Sequence, residues 1–302
     1  MAWDEPVAGD IRVRVPGKLN CALRVGPRRP DGYHELATVF QAVSLYDEVS
    51  AIATDDDAIT CVMPGADDFG DDNLAVKAAR LLRERAGLAG RGVALTIDKR
   101  LPVAGGMAGG SADAAAALVA CAAAWNLDVP TEEMHALAAE LGSDVPFALT
   151  GGVAYGSGRG EILVPALARG TYHWVLAFAR RGLSTPAVFR RFDALVPDPP
   201  PPQPPRELMS ALAAGDPVRL GRFLTNDLAE PALTLAPELR RTLNAGRALG
   251  VLGSLLAGSG PTIAFLVATE REAIDVAVEL SSLGVARDVR RVTGPVAGAT
   301  LL

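Results

Sequence analysis

Cysteine is scarce. The 302 residues hold only Cys21, Cys61 and Cys121, an odd number, widely spaced and with no Cys-x-x-Cys pair. That excludes a disulfide framework and a structural zinc site, and points to three reduced, mostly buried thiols in a cytoplasmic protein. Histidine is equally sparse; His135 and His173 stand near no Cys or His at metal-ligand spacing, so both read as structural. Basic runs are missing too. The net charge is −6, and without clustered Lys and Arg there is little to neutralise a phosphate backbone, which excludes a nonspecific nucleic-acid binder. Local cations could still hold a small anion. No long apolar run exists either. The longest, Ala114 to Trp125, is too short to span a bilayer and reads as a buried helix. The opening MAWDEPVAGD carries acids and no apolar stretch, so no signal peptide and no membrane partner are expected.

What is present is an ordinary globular composition, 49% hydrophobic and 21% charged, with length for one large domain or two moderate ones. Residues 11–63 read as strands: Ile11, Val13 and Val15 alternate with arginines, and Leu19–Val25, Leu36–Leu45 and Val49–Thr54 follow. Asn73–Ala86 has helical spacing and stops at Gly87. Val93–Asp98 is a strand. Thr131–Leu141 is a helix with Thr131 as N-cap and Glu132 and Glu133 in its first turn. GSDVPFAL reads as a loop and GGVAYGSG as a short hairpin. Trp174–Ala179 is a strand, and Pro197–Pro205 is a solvent-facing loop that proline keeps out of helix and central strand. Helices near 206–222, 236–249 and 270–282 surround the strand-turn-strand GSLLAGSGPTIAFLVA. A last strand lies near Val285–Val292. The alternation suggests an α+β sandwich on an antiparallel sheet.

The densest feature is LPVAGGMAGGSADAAAALVA, a glycine-rich loop running into an Ala-rich helix with Ser111 near its start. Glycine lets backbone approach a ligand closely, and a helix start offers unpaired N–H groups and a positive dipole end. Gly105, Gly106, Gly109, Gly110 and Ser111 therefore form a candidate phosphate site. No lysine follows the glycines, so it is not a Walker A loop, and the order GGxxGGS is not the dinucleotide GxGxxG. HRD and DFG are absent, so it is not a protein kinase. A glycine loop with no ligand stays open from this segment alone.

Three segments in order, PGKLNCALRVGPRRPDGYHEL, PVAGGMAGGSADAA and LAGSGPT, resemble the GHMP kinase superfamily, which includes galactokinases, homoserine kinases and mevalonate kinases. K-x-N, R-x-D-G-Y-H and DNLAVKAARLL are similar, more narrowly, to the 4-diphosphocytidyl-2-C-methyl-D-erythritol kinases. The likeness runs from about residue 11 to 292. It implies a two-domain GHMP kinase fold, α+β, with a ribosomal-S5-domain-2-like unit at 1–165 and a ferredoxin-like α/β sandwich at 166–302. It implies a cleft between them for ATP and substrate, and phosphorylation of the 2-hydroxyl of CDP-methylerythritol in the non-mevalonate isoprenoid pathway. Another GHMP small-molecule kinase, or a catalytically dead ligand-binding relative, is the alternative. The expected form is a monomer or homodimer.

The resemblance assigns roles residue by residue. Asp144 would accept the hydroxyl proton and Lys18 would polarise the hydroxyl beside it, although SDVP by itself also reads as a turn. Pro102, Val103, Ala104, Gly105, Gly106, Met107, Ala108, Gly109, Gly110 and Ser111 would cradle the phosphates. Met107 and Ala108 stand where Leu and Gly are commoner. Asn73, with Lys77 near it, would meet adenosine. Mg²⁺ would bridge the phosphates with Ser111 a candidate ligand, and no dedicated protein metal site is expected. Tyr33, His34 and Phe189 would grip cytosine, with Thr185 nearby. Asn20 would meet the methylerythritol part and Lys99 the diphosphate. Gly258, Ser259 and Gly260 would support the site as a second glycine turn.

Overall fold

The computed structural model describes residues 9–65 and 72–302; most of the N-terminal segment discussed above, residues 1–8, lies outside them. In chain order the elements are β1 (Ile11–Arg28), β2 (His34–Thr54), β3 (Ile59–Val62), α1 (Leu74–Arg85), β4 (Gly92–Asp98), α2 (Gly109–Ala124), α3 (Thr131–Leu141), α4 (Val145–Thr150), β5 (Val153–Ser157) and β6 (Ile162–Pro165). Then come β7 (Tyr172–Phe178), α5 (Thr185–Leu195), α6 (Arg206–Ala214), α7 (Pro217–Phe223), β8 (Thr225–Asn226), α8 (Ala229–Leu235) and α9 (Leu239–Ala248). β9 (Gly253–Leu256), β10 (Ile263–Val267), α10 (Glu270–Ser282), β11 (Asp288–Gly294) and β12 (Thr300–Leu301) complete the chain.

Two sheets result. The larger runs β12-β1-β2-β4-β3, with β5 and β6 added beside β2 and β8 parallel to β1. The smaller, order β11-β7-β10-β9, is antiparallel throughout, as expected for the ferredoxin-like unit. β6 ends at Pro165 and β7 opens at Tyr172, yet β8 and β12 cross back to the first sheet. The buried Trp174 indole donates to Gln41 Oε1 at 2.8 Å, tying the two sheets together.

The first strands are longer than their sequence pattern suggested, because β1 and β2 form one continuous hairpin whose register slips at Pro16/Gly17, Asn20/Ala22 and Val25/Arg28. Such bulges accommodate Pro16, which cannot donate to a ladder. α2 is apolar on all sides and almost wholly buried. Its alanines let the sheet and α1, α3 and α4 close around it. The glycine loop therefore empties into a helix held on every side.

α2 starts at Gly109, which keeps Ser111 near its start. Three local readings change. Thr131 is the first helical residue of α3 and Pro130 occupies the cap with no side-chain bond, since proline's fixed φ suits the position just outside a helix. GSDVPFAL is partly the helix α4, whose Pro146 falls in the first turn where its missing N–H costs nothing. The single helix read over 206–222 is two, α6 and α7, divided by Gly215 at φ 71° and the Asp216 cap. The proline run lies between α5 and α6, with Pro202 packed on Gly26 of β1.

Candidate active site

A cleft of about 830 Å³ is lined from both halves of the chain, by Lys18, Asn73 and Asp144 from the first and Thr185, Phe189 and Ser259 from the second. One corner of it is the 102–111 turn. The amides from Gly106 to Ser111 make no hydrogen bond among the described residues. Ala108 sits in the left-handed region at φ 59° as the N-cap of α2, without a side-chain cap. A run of unpaired donors at the positive end of a buried helix is an anion site.

The turn is held at three points. Asp47, fully buried, accepts from the amides of Arg100 (2.6 Å) and Leu101 (2.7 Å) and fixes the entry. Lys99 bridges Asp47 and Asp113 at 2.6 Å each, linking the end of β4 to the first turns of α2. The second glycine turn supplies the third point: Thr262 N donates to Gly105 O at 3.3 Å. Asn226 Nδ2 holds that turn by donating to the carbonyls of Leu256 and Gly258, at 2.7 Å each.

Lys99 stands in the cleft as expected but is already paired. Its ammonium is committed to two carboxylates, so a diphosphate would compete with both. Burial pushes Asp113 up from the ordinary 3.8 to about 7; Lys99 opposes the rise and the Asp47 charge adds to it. The folded chain then holds a proton that the unfolded chain has lost between pH 3.8 and about 7. Stability is thus expected to fall as pH rises through that window. In urea titrations, the stability of the wild type relative to Asp113→Asn should decline from pH 4 to pH 7 and then level; a flat difference would contradict this.

Lys18 and Asp144 come together. Lys18 Nζ lies 3.5 Å from Asp144 Oδ2, with the lysine buried and the aspartate partly exposed to the cleft. Asp144 occupies the N-cap position of α4 but its side chain caps nothing. The turn reading therefore does not consume the carboxylate. Lys18 is aimed by its neighbours. Nζ donates to Asn20 Oδ1 at 2.8 Å, Asn20 Nδ2 donates to Thr38 Oγ1 at 2.8 Å, and Thr38 donates to Ala22 O at 2.7 Å. The relay fixes which way the Asn20 amide faces. The Phe40 ring lies 5.1 Å from the ammonium, and Lys18 N donates to Met107 O at 3.3 Å, joining this pair to the phosphate turn.

At the other end of the cleft, His34 stacks on Phe189 at 5.1 Å and 24°, and meets Phe192 edge-on at 6.0 Å. Its Nε2 is 2.7 Å from Asp193 Oδ1. Tyr33 is 55% exposed, with the Arg159 guanidinium 5.0 Å from its ring. Thr185 Oγ1 is 2.8 Å from Ser259 Oγ, coupling α5 to the second glycine turn.

The expected site residues thus line one cleft, except Lys77, Gly260 and Met107. The Met107 side chain is fully buried against Gly17, because the turn points it into the core, and only its backbone is left for a phosphate. Asn73 lines the cleft while capping α1, accepting from Ala75 N at 2.9 Å. Lys77 is outside the cleft lining and pairs with Asp72 at 3.1 Å. Asp47, Asp113, Phe40 and Asp193 were missed. Asp113 lies inside the GGSADAA segment, two residues after Ser111, whereas Asp47, Phe40 and Asp193 carry no motif and are brought in by other strands and helices. Among the described residues no three His, Cys, Asp or Glu side chains are gathered for a metal, and no helix is long and apolar enough to cross a membrane.

Residues 73–152 match the GHMP kinases N terminal domain and residues 208–286 the GHMP kinases C terminal domain. The 4-diphosphocytidyl-2-C-methyl-D-erythritol kinase of Mycolicibacterium smegmatis is 54% identical over 297 residues, 96% of this chain and 92% of the relative. That of Mycobacterium tuberculosis is 53% identical over 298 residues, covering 97% and 93%. A crystal structure of a 4-(cytidine 5'-diphospho)-2C-methyl-D-erythritol kinase superposes with a TM-score of 0.78 at 35% identity, over 93% of this chain and 98% of that one. Homoserine kinase from Cytophaga hutchinsonii shares the fold at a TM-score of 0.71 and 15% identity, over the whole of both chains. Similarity of this depth along nearly the full length places the chain in the GHMP kinases, as a member of the 4-diphosphocytidyl-2-C-methyl-D-erythritol kinase family.

Proposed function

We propose that this chain transfers the γ-phosphoryl of ATP to the 2-hydroxyl of 4-diphosphocytidyl-2-C-methyl-D-erythritol, a step of non-mevalonate isoprenoid synthesis in the cytoplasm, in the cleft between residues 1–165 and 166–302. The observation that carries the reading is the Lys18–Asp144 pair at 3.5 Å, joined through Met107 to a turn of unbonded amides.

Phosphoryl transfer asks mainly for positioning and charge stabilisation. The Gly106–Ser111 amides and the α2 dipole hold the triphosphate, and Asn73 meets the adenosine. Asp144 accepts the hydroxyl proton as the oxygen attacks phosphorus. Lys18, held by Asn20, stabilises negative charge gathering on that oxygen. Mg²⁺, when bound, neutralises charge on the phosphate oxygens. An ion carried mostly by phosphate and water would be held here with Ser111, which stands at the helix start in the cleft lining. At the far end Tyr33, His34 and Phe189 take the cytosine, and Thr185 closes on Ser259 beside them.

The test is a substrate panel. Purified protein with ATP and Mg²⁺ is given the cytidine substrate, homoserine, mevalonate or galactose, and ADP release is followed. Turnover is expected with the cytidine substrate alone. Turnover with another acceptor and none with this one would refute the narrow assignment.

A further inference from the structure

We infer that Asp193 sets the tautomer of His34, making it a hydrogen-bond acceptor that selects a 4-amino pyrimidine over a 4-oxo one. The inference rests on the cytosine-end reading above and names what decides base identity there.

His34 is 94% hidden from solvent by its 6% exposure, and opens β2, whereas Asp193 lies on α5 in the other half of the chain. Stacking on Phe189 and the edge contact with Phe192 fix the imidazole plane. Both rings also come from α5, so one helix supplies the packing surface and the polar partner. Asp193 Oδ1 lies 2.7 Å from Nε2. A carboxylate can only accept, so Nε2 must carry the hydrogen. In the neutral ring Nδ1 is then a bare acceptor. Nδ1 makes no hydrogen bond among the described residues, and the ring lines the cleft. It is the His34 nitrogen left for a ligand.

Cytosine carries an amino group at position 4, which donates. Uracil carries a carbonyl there, which only accepts. An acceptor facing that position satisfies cytosine and leaves uracil with two acceptors opposed. A mismatched buried polar pair costs more than a missing contact. Without Asp193 the imidazole is free to move its hydrogen to Nδ1 and donate to a 4-oxo group. Asp193 thus acts through His34 as a positioning residue and touches no reacting atom.

Turnover is compared for the cytidine substrate and its uridine counterpart, wild type against Asp193→Ala. The wild type should favour cytidine strongly. In Asp193→Ala the cytidine:uridine ratio of kcat/KM should fall by about tenfold or more, through KM, with KM for ATP unchanged. Equal losses on both substrates, or an unchanged ratio, would overturn the inference. The wild type is also read directly by nitrogen-15 spectra of its imidazoles, of which there are only three. His34 protonated at Nε2 alone supports the proposal; protonation at Nδ1 overturns it, whether or not the variant folds. A wild type with no turnover of the cytidine substrate would instead refute the proposed function, and the spectra would still decide the tautomer.

Discussion

Asp144→Asn is expected to lower kcat by about 10²–10⁴-fold while ATP affinity stays within about threefold. The substitution keeps shape and removes the ability to take a proton. On the proposed reading the triphosphate rests on the backbone of 106–111 and not on Asp144. Stability should change little. The ion pair to Lys18 is 3.5 Å long and its aspartate is partly exposed, so solvent screening holds its worth to about 1 kcal/mol or less. Isothermal titration with an ATP analogue, beside steady-state kinetics, separates the two effects. A variant that keeps near-normal kcat would show that the proton leaves by another route. One that loses ATP binding along with kcat would show that the carboxylate serves the nucleotide.

Gly106→Ala should do damage of a different kind. Gly106 sits at φ 80°, where a side chain is strained, and a Cβ there would collide with the carbonyl oxygen of Ala257 and lie 2.9 Å from that of Gly260. Both neighbours are backbone of the second glycine turn, itself fastened by Asn226. Neither can swing aside as a flexible side chain would. One of the two turns must move. The expected cost is roughly 2–4 kcal/mol of stability. KM for ATP should rise by about tenfold to a hundredfold, since the amides lose their aim. Gly110→Ala is the control: its nearest neighbour is the Leu74 side chain at 3.5 Å, and its φ is ordinary. If both variants bind ATP equally well, the turn does not depend on its contact with residues 257–260.

Local signals carried well. The glycine cluster marked a tight turn before a helix, and Gly106 sits there at φ 80° with no room for a side chain. α10 was read at its observed limits, 270–282, because Thr269 caps it by accepting from Glu272 N and its apolar spacing is regular. Where local rules gave two answers, the tertiary structure chose. GSDVPFAL read as a loop, yet Val145 starts a helix with Pro146 in its first turn, and the Asp144 side chain caps nothing and faces the cleft.

Partnerships across the chain were not readable. Lys99 announced a cation near phosphates, and nothing near it in sequence disclosed that Asp47 and Asp113 would claim its ammonium from 52 and 14 residues away. Asp193 stands 159 residues from His34. It was hidden in a helix whose amphipathic pattern is explained by Val188 and Phe192 alone. Such pairs depend on strand register and on how the two sheets meet. No spacing rule reports either. Met107 shows the reverse error: a whole motif was assigned to the ligand, while the turn sends one of its side chains into the core.

The most direct measurement is a crystal structure with a nonhydrolysable ATP analogue and the cytidine substrate bound together. The triphosphate should lie on the 106–111 amides, and the Asp144 carboxylate should stand about 2.6–3.2 Å from the attacking hydroxyl, with Lys18 in contact with the same oxygen. A nucleotide seated elsewhere in the cleft, or a hydroxyl beyond reach of Asp144 with the γ-phosphoryl in line, would contradict it.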